Sequence, residues 1–325
     1  MATNSSNSVP PKYSDNPFDD NNLPASGTPF SDNKQQAKEQ QRLDAFRQLV
    51  ERQEISNLMA LKLRKLEAYD IVIICDDSGS MNTKSTMGLQ VSNPYAPATT
   101  RWDELKLTVQ IVTDIAATLD EDGIDVYFLN RAPVRNVFSA EQLQQAFANP
   151  PRGYTPITRV LRQVLHEKRS QAIESGKKLL VLLATDGTPT TDSGVDDKQG
   201  LRQLLMHERG GRGEVPVVFL ACTDDETEVG YLNEWDKQIP DVDVADDYIS
   251  ERKEILAVQG HNFPFSRGDW VCKMLLGPID AEIDALDERR VGDHGGSTVY
   301  SSPQRYQQPS YPPPAEKKKK KWGFF

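Results

Sequence analysis

Four short apolar runs, separated by longer stretches with helical spacing, are the feature that most constrains what this chain can fold into. The runs are rich in Val, Ile and Leu and span residues 71–75, 124–129, 179–184 and 215–221. Such runs are typical of strands buried on both faces of a parallel sheet. Apolar residues recur at helical intervals in residues 102–119, 157–173 and 200–207. The alternation predicts an α/β fold with a doubly wound, mostly parallel central sheet flanked by helices.

Weaker patterns extend this prediction on both sides. Residues 134–138 predict a short edge strand, and Ser139 and Gln142 follow it at the spacing of a capping box, which marks the start of a helix. Beyond Asp224 we expect closing helices, in residues 231–235, 246–258 and 270–286.

The first apolar run is followed directly by acids and serines. Asp76, Ser78 and Ser80 stand at every second residue, Thr155 precedes the second helical stretch, and Asp186 follows the third apolar run. Parallel strands present their carboxyl ends at one edge of a sheet, so three loops are expected to meet there. Carboxylate and hydroxyl oxygens suit Mg²⁺ or Mn²⁺, although the same residue types also form ordinary turns. The sequence therefore predicts a divalent-cation site at this edge.

This arrangement resembles the metal-ion-dependent adhesion site of von Willebrand factor A domains. In that family the first loop reads Asp-x-Ser-x-Ser, the second contributes Thr, and the third contributes Asp, usually followed by Gly. All five positions are matched in order, by Asp76, Ser78, Ser80, Thr155 and Asp186. The resemblance covers about residues 69–239.

The resemblance implies a cation-dependent protein interaction. In family members the two serines commonly ligate the cation directly, the threonine does so in one state, and the carboxylates often act through water. A further position is left for the Glu or Asp carboxylate of a protein partner. Tyr154 stands where a second Gly is frequent, and Asp77 adds a charge at a variable position, but neither removes a ligand.

Enzymes that use an acid or a serine at this place fit the chain poorly. A haloacid dehalogenase-type phosphotransferase needs an Asp where Ser78 stands, and a receiver domain needs a phosphoacceptor Asp where the second run ends in Asn130. Ser78 and Ser80 lack the Gly-x-Ser-x-Gly context and an assignable His of a hydrolase. We therefore expect a protein without catalytic residues.

Charge and hydropathy exclude further classes. The net charge is −10, which argues against nucleic-acid binding, because phosphate contacts require an excess of Lys and Arg. No apolar run approaches the roughly 20 residues that cross a bilayer, and residues 1–24 are polar, unlike a secretory signal. Cys75, Cys222 and Cys272 lie far apart in apolar surroundings, as reduced, buried thiols do. We expect a cytoplasmic protein.

The ends of the chain differ in composition from the middle. Residues 34–68 carry Leu43, Phe46, Val50 and Leu58 mainly at three- to five-residue steps, which predicts an amphipathic helix or helix pair packed on the following domain. We assign the regions as a disordered tail (1–33), the helical extension (34–68), the A-type domain (69–260), a C-terminal helical extension (261–290) and a disordered Pro- and Gln-rich tail (291–325).

Two short strings in the N-terminal tail are similar to peptide ligands. One matches the PPxY motif bound by WW domains, with Pro10, Pro11 and Tyr13 at the defining positions. The other matches the NPF motif bound by EH domains, with Asn16, Pro17 and Phe18. Both strings are short enough to occur by chance. Together they favour a second interpretation, a trafficking or ubiquitin-ligase adaptor in which the metal is structural.

The C-terminal tail ends in a basic and aromatic segment. Residues 299–325 have a net charge of +5, and their last nine residues include Lys317, Lys318, Lys319, Lys320, Lys321, Trp322, Phe324 and Phe325. Lysines are attracted to an anionic membrane surface and aromatic residues anchor at its interface. Peripheral membrane contact and a solvated charge run both fit this pattern.

Overall fold

A six-stranded sheet forms the centre of the part of the chain that the structure, a computed structural model, describes: residues 32–85, 99–120 and 122–292. Its order is β3-β2-β1-β4-β5-β6, and only β3 runs antiparallel to its neighbour. The strands are β1 (Tyr69–Cys75), β2 (Ile124–Phe128), β3 (Val134–Val137), β4 (Lys178–Thr185), β5 (Val217–Ala221) and β6 (Val242–Ala245). The predicted doubly wound α/β fold is confirmed.

Helices cover both faces of the sheet. They are α1 (Asp32–Arg52), α2 (Asn57–Leu63), α3 (Arg101–Leu119), α4 (Gln144–Ala148), α5 (Ile157–Glu174), α6 (Lys198–His207), α7 (Glu226–Gln238), α8 (Tyr248–Gln259), α9 (Arg267–Leu276) and α10 (Ala281–Asp284). Alternate residues of β1 divide the core: Ile71 and Ile73 belong to the cluster with α1, α2, α3 and α9, whereas Val72 and Ile74 belong to that with α5, α6 and α7. Burial on both faces explains why the strands are continuous apolar runs.

Three local features differ from or refine the sequence prediction. The capping box of Ser139 and Gln142 is confirmed, although it opens a 3-10 turn that precedes α4. Strand β6 was not predicted, because Asp243 interrupts its apolar residues. Residues 270–286 are mostly helical, as predicted, but they are divided: α9 ends at Leu276, the Gly277-Pro278 pair begins a 3-10 turn, and a short helix follows from Ala281.

The helix pair α1 and α2 packs against the sheet domain, as predicted. Leu49 and Leu63 are 1% and 0% exposed within the core cluster. The backbone of α9 approaches this pair so closely that a Cβ added at Gly268 would lie 2.1 Å from the Gln53 carbonyl oxygen. The extension is therefore part of the hydrophobic core that supports the sheet.

Two sequence expectations about the rest of the chain can be compared with this structure. Cys75, Cys222 and Cys272 are buried and free, as expected of reduced thiols. Among the described residues, no helix has the length and apolarity that a membrane span requires.

We expect Leu63→Ala to lower the free energy of unfolding by about 2–5 kcal/mol, because it leaves a cavity in the core. Leu61 lies on the same helix but is 43% exposed, so Leu61→Ala should change stability by less than about 0.5 kcal/mol. Urea unfolding of both variants measures the difference. Equal, small losses would show that the helix pair contributes little to the core.

Candidate metal centre

Most of the predicted site residues lie at the carboxyl ends of β1 and β4, where the order in which the chain adds strands to the sheet reverses. Strands β1 and β4 are adjacent and parallel, with Cys75 opposite Ala184, and Asp76 and Asp186 lie just beyond their carboxyl ends. From these two central strands the chain winds outward in opposite directions, which opens a crevice at this point. The backbone N–H of Asp76 donates to the Ala184 carbonyl at 2.9 Å, so the first loop begins in register with β4.

Four of the five predicted residues form one chain of hydrogen bonds. The Ser78 N–H donates to Asp76 Oδ1 at 2.8 Å, and the Ser78 and Ser80 hydroxyls are 2.9 Å apart. Ser80 Oγ then donates to Asp186 Oδ1 at 2.7 Å. Thr185 completes the arrangement by donating its hydroxyl to Asp76 Oδ2 at 2.7 Å. The two carboxylates and two serines therefore converge on a single place.

The fifth residue, Thr155, lies on a loop that is bound to the first loop through its backbone. Gly79 N–H donates to the Gly153 carbonyl at 3.1 Å, and Thr155 is 8% exposed. Gly153 has φ +107°, and a Cβ there would lie 2.5 Å from Asn130 Oδ1, so the turn requires glycine. These contacts bring the Thr155 loop to the site. Among the described residues, however, no hydrogen bond joins the Thr155 hydroxyl to the other four predicted site residues.

The two carboxylates are both removed from water. Asp76 is 0% and Asp186 is 1% exposed. Burial, together with the nearby negative charge of Asp186, raises the pKa of Asp76 to about 7. Burial therefore makes it costly for the protein to hold both carboxylates ionised without a positive charge beside them.

Arg101 is the site residue that the sequence analysis missed. Its Nη1 pairs with Asp186 Oδ2 at 2.8 Å, and its Nη2 donates to Thr223 Oγ1 at 2.7 Å. It is the first residue of α3, where a cation faces the unfavourable end of the helix dipole. That unusual placement is the only signal for it in the sequence, and it does not identify Asp186, 85 residues away, as the partner.

Asp77 has a structural role that the sequence left open. It is 0% exposed, accepts the Asn130 N–H at 2.7 Å and forms an ion pair with Arg131. Its charge is therefore balanced within the protein, and its contacts fasten the first loop to the end of β2.

The donor atoms fit a hard divalent cation. Carboxylate and hydroxyl oxygens from Asp76, Ser78, Ser80 and Asp186 lie together, and the buried negative charge favours a cation. Within the described residues there is no group of three or more His, Cys, Asp or Glu side chains that could hold a metal. A site here would therefore depend on hydroxyl ligands as well as carboxylates.

The tail predictions lie outside the described residues. This applies to Pro10, Pro11, Tyr13, Asn16, Pro17 and Phe18 and to the basic and aromatic segment from Lys317 to Phe325. They stay predictions. No protein family model matches the chain, and no curated protein matches it.

We expect the free energy of unfolding of metal-free Asp76→Asn, relative to that of wild type, to rise as the pH increases from 4 to 7. Since burial raises the pKa of Asp76 from 3.8 to about 7, the folded state holds a proton that the unfolded state has already lost. The stability this carboxyl contributes is thus present below pH 4 and is lost as the pH rises to 7. Asn does not ionise, so the free energy of unfolding of the variant should rise relative to that of wild type across this pH range, by an amount of the order of 1 kcal/mol or more.

Urea unfolding in chelator at several pH values measures this difference. Asp77→Asn is the matched control, and it should destabilise the protein by about 3 kcal/mol, because it leaves Arg131 without its buried partner. Burial also raises the pKa of Asp243 to about 7. Because wild type and both variants contain Asp243, its contribution cancels from the differences in their free energies of unfolding. A stability difference between Asp76→Asn and wild type that stays constant from pH 4 to pH 7 would contradict the electrostatic description.

Proposed function

We propose that the protein is a cytoplasmic, non-enzymatic member of the von Willebrand factor A type that binds a protein partner through Mg²⁺ or Mn²⁺. The ligands would be Asp76, Ser78, Ser80, Thr155 and Asp186. The observation that carries the proposal is the hydrogen-bonded chain from Asp76 through both serines to Asp186, at the point where β1 and β4 end.

The chemistry of this ligand set favours binding over catalysis. Hydroxyl ligands are neutral, so a cation bound mainly through them would offer an electrophilic centre to the carboxylate of a partner. Ser80 is the exposed member of the hydrogen-bonded chain, while Ser78 and the two carboxylates are buried. A partner would therefore reach the site from the side of Ser80.

The surroundings of the loop edge support a protein ligand. Tyr154 and Val195 are 55% and 62% exposed, although both are large apolar residues. The Tyr154 ring lies against Gly194, where an added Cβ would be 2.6 Å from it, so the two loops form one continuous surface. Aromatic and aliphatic side chains around a charged centre are typical of protein interfaces.

Cation binding tests the proposal directly. Titration of the full chain with Mn²⁺ should give one site that Asp76→Asn abolishes or weakens by at least about tenfold, because the variant removes a carboxylate charge at the cation. Asp192→Asn makes the same chemical change at an exposed carboxylate that pairs with Arg159 at 2.8 Å, and it should leave the affinity unchanged. The absence of a site in wild type, or equal binding in Asp76→Asn, would contradict the proposal.

A second experiment separates this function from the adaptor that the tail motifs suggest. Affinity capture with the full chain, in Mg²⁺ and in chelator, should recover partners that are lost with chelator and with Asp76→Asn. Deletion of residues 1–31 should not affect those partners. If WW- or EH-domain proteins bind regardless of Mg²⁺ and are lost only in the deletion, the tail carries the function and the metal is structural.

A further inference from the structure

Arg101 occupies the position of a counter-ion at the candidate metal centre. Its side chain is 15% exposed and its Nη1 lies 2.8 Å from Asp186 Oδ2, on the carboxylate whose other oxygen accepts Ser80 Oγ. A cation held by Asp186 would therefore meet an arginine that is already bound there. Two positive charges at one buried carboxylate repel each other, and the repulsion is strong where water is excluded.

The polar atoms of Arg101 are only partly satisfied in this position. Nη1 and Nη2 are bound by Asp186 and Thr223, but Nε is buried and has no hydrogen-bond partner among the residues that the structure describes. A buried donor without a partner costs free energy. In this position Arg101 gains an ion pair with Asp186 but leaves one buried hydrogen-bond donor unsatisfied.

A second carboxylate lies near Arg101 on the same helix. Glu104 is three residues further along α3, 7% exposed, and accepts the Ser85 hydroxyl. Arg101 and Glu104 together line a small cavity of about 20 Å³ that is also bounded by Cys222 and Trp270. Residues three apart on a helix are neighbours, so the guanidinium has an acidic group within the same turn towards which it can move.

The start of α3 is also joined to the segment that follows the first loop. Arg101 N–H donates to the Thr83 carbonyl at 3.0 Å, and Lys84 forms an isolated bridge with Thr100. A movement of Arg101 would therefore act next to the Ser78 and Ser80 loop rather than at a distance from it.

We infer that Arg101 competes with the divalent cation for Asp186 and turns from Asp186 towards Glu104 when the cation binds. This inference rests on the proposed function. Arg101 thus holds the metal-free site together and sets the cation affinity below what the five ligands alone would give.

Mn²⁺ affinity of the full chain, measured by calorimetry at pH 7.5 in low salt, tests the inference. Arg101→Gln should bind Mn²⁺ about tenfold or more tightly than wild type, because the competing charge is gone. Arg101→Lys keeps that charge and should remain close to wild type. Arg131→Gln is the matched control, since it removes an arginine from the neighbouring buried pair with Asp77 and should not tighten Mn²⁺ binding.

The outcomes distinguish this inference from the proposed function. If wild type binds Mn²⁺ and Arg101→Gln binds it equally or more weakly, the competition is refuted while the metal site stands. If neither protein binds Mn²⁺, the proposed function itself fails and the inference falls with it.

Arg101→Gln leaves Asp186 buried without its ion pair, which destabilises the protein. A second variant tests the inference even if Arg101→Gln does not fold. Glu104→Gln keeps the shape of the side chain but removes the second carboxylate, and it should weaken Mn²⁺ binding several-fold. Unchanged affinity in a folded Glu104→Gln variant would overturn the proposed movement.

Discussion

The burial of two carboxylates at the ends of neighbouring strands is the constraint on which the rest of this structure depends. Asp76 and Asp186 follow β1 and β4, which pair in parallel, so the fold itself brings their charges together. Both are almost completely removed from water, and the charge of Asp186 helps to raise the pKa of Asp76 to about 7. Such a pair requires positive charge, and in this structure Arg101 supplies it.

The surrounding loops are built to keep this arrangement in place. Asp77, next to Asp76, faces away into its own pair with Arg131 and binds the end of β2. The glycine at position 153 lets the Thr155 loop approach the first loop backbone to backbone. Neighbouring residues in one short loop thus have separate tasks: Asp77 fixes the loop, while Asp76, Ser78 and Ser80 belong to the chain of hydrogen bonds that reaches Asp186. The helix pair α1 and α2 completes the core beneath one face of the sheet.

The sequence predicted the sheet well because buried parallel strands must be apolar throughout, as residues 71–75 and 179–184 are. It also predicted which loops would meet, since the ends of parallel strands share one edge, and Asp76, Ser78, Ser80 and Asp186 do converge. Strand β6 was missed because its pattern is short and contains Asp243. Arg101 was missed for a different reason: its role depends on a contact with Asp186, and no local pattern encodes a pairing across 85 residues.

The most direct measurement of the central claim is anomalous diffraction from crystals of the full chain grown with Mn²⁺. The account predicts one peak at bonding distance from the Ser78 and Ser80 hydroxyls, beside Asp76 and Asp186, with the guanidinium of Arg101 turned away from Asp186. The crystals should be grown at an Mn²⁺ concentration that saturates the protein in solution. If the loop edge is then well ordered, shows no peak and keeps the Arg101–Asp186 pair intact, the proposed metal site is contradicted.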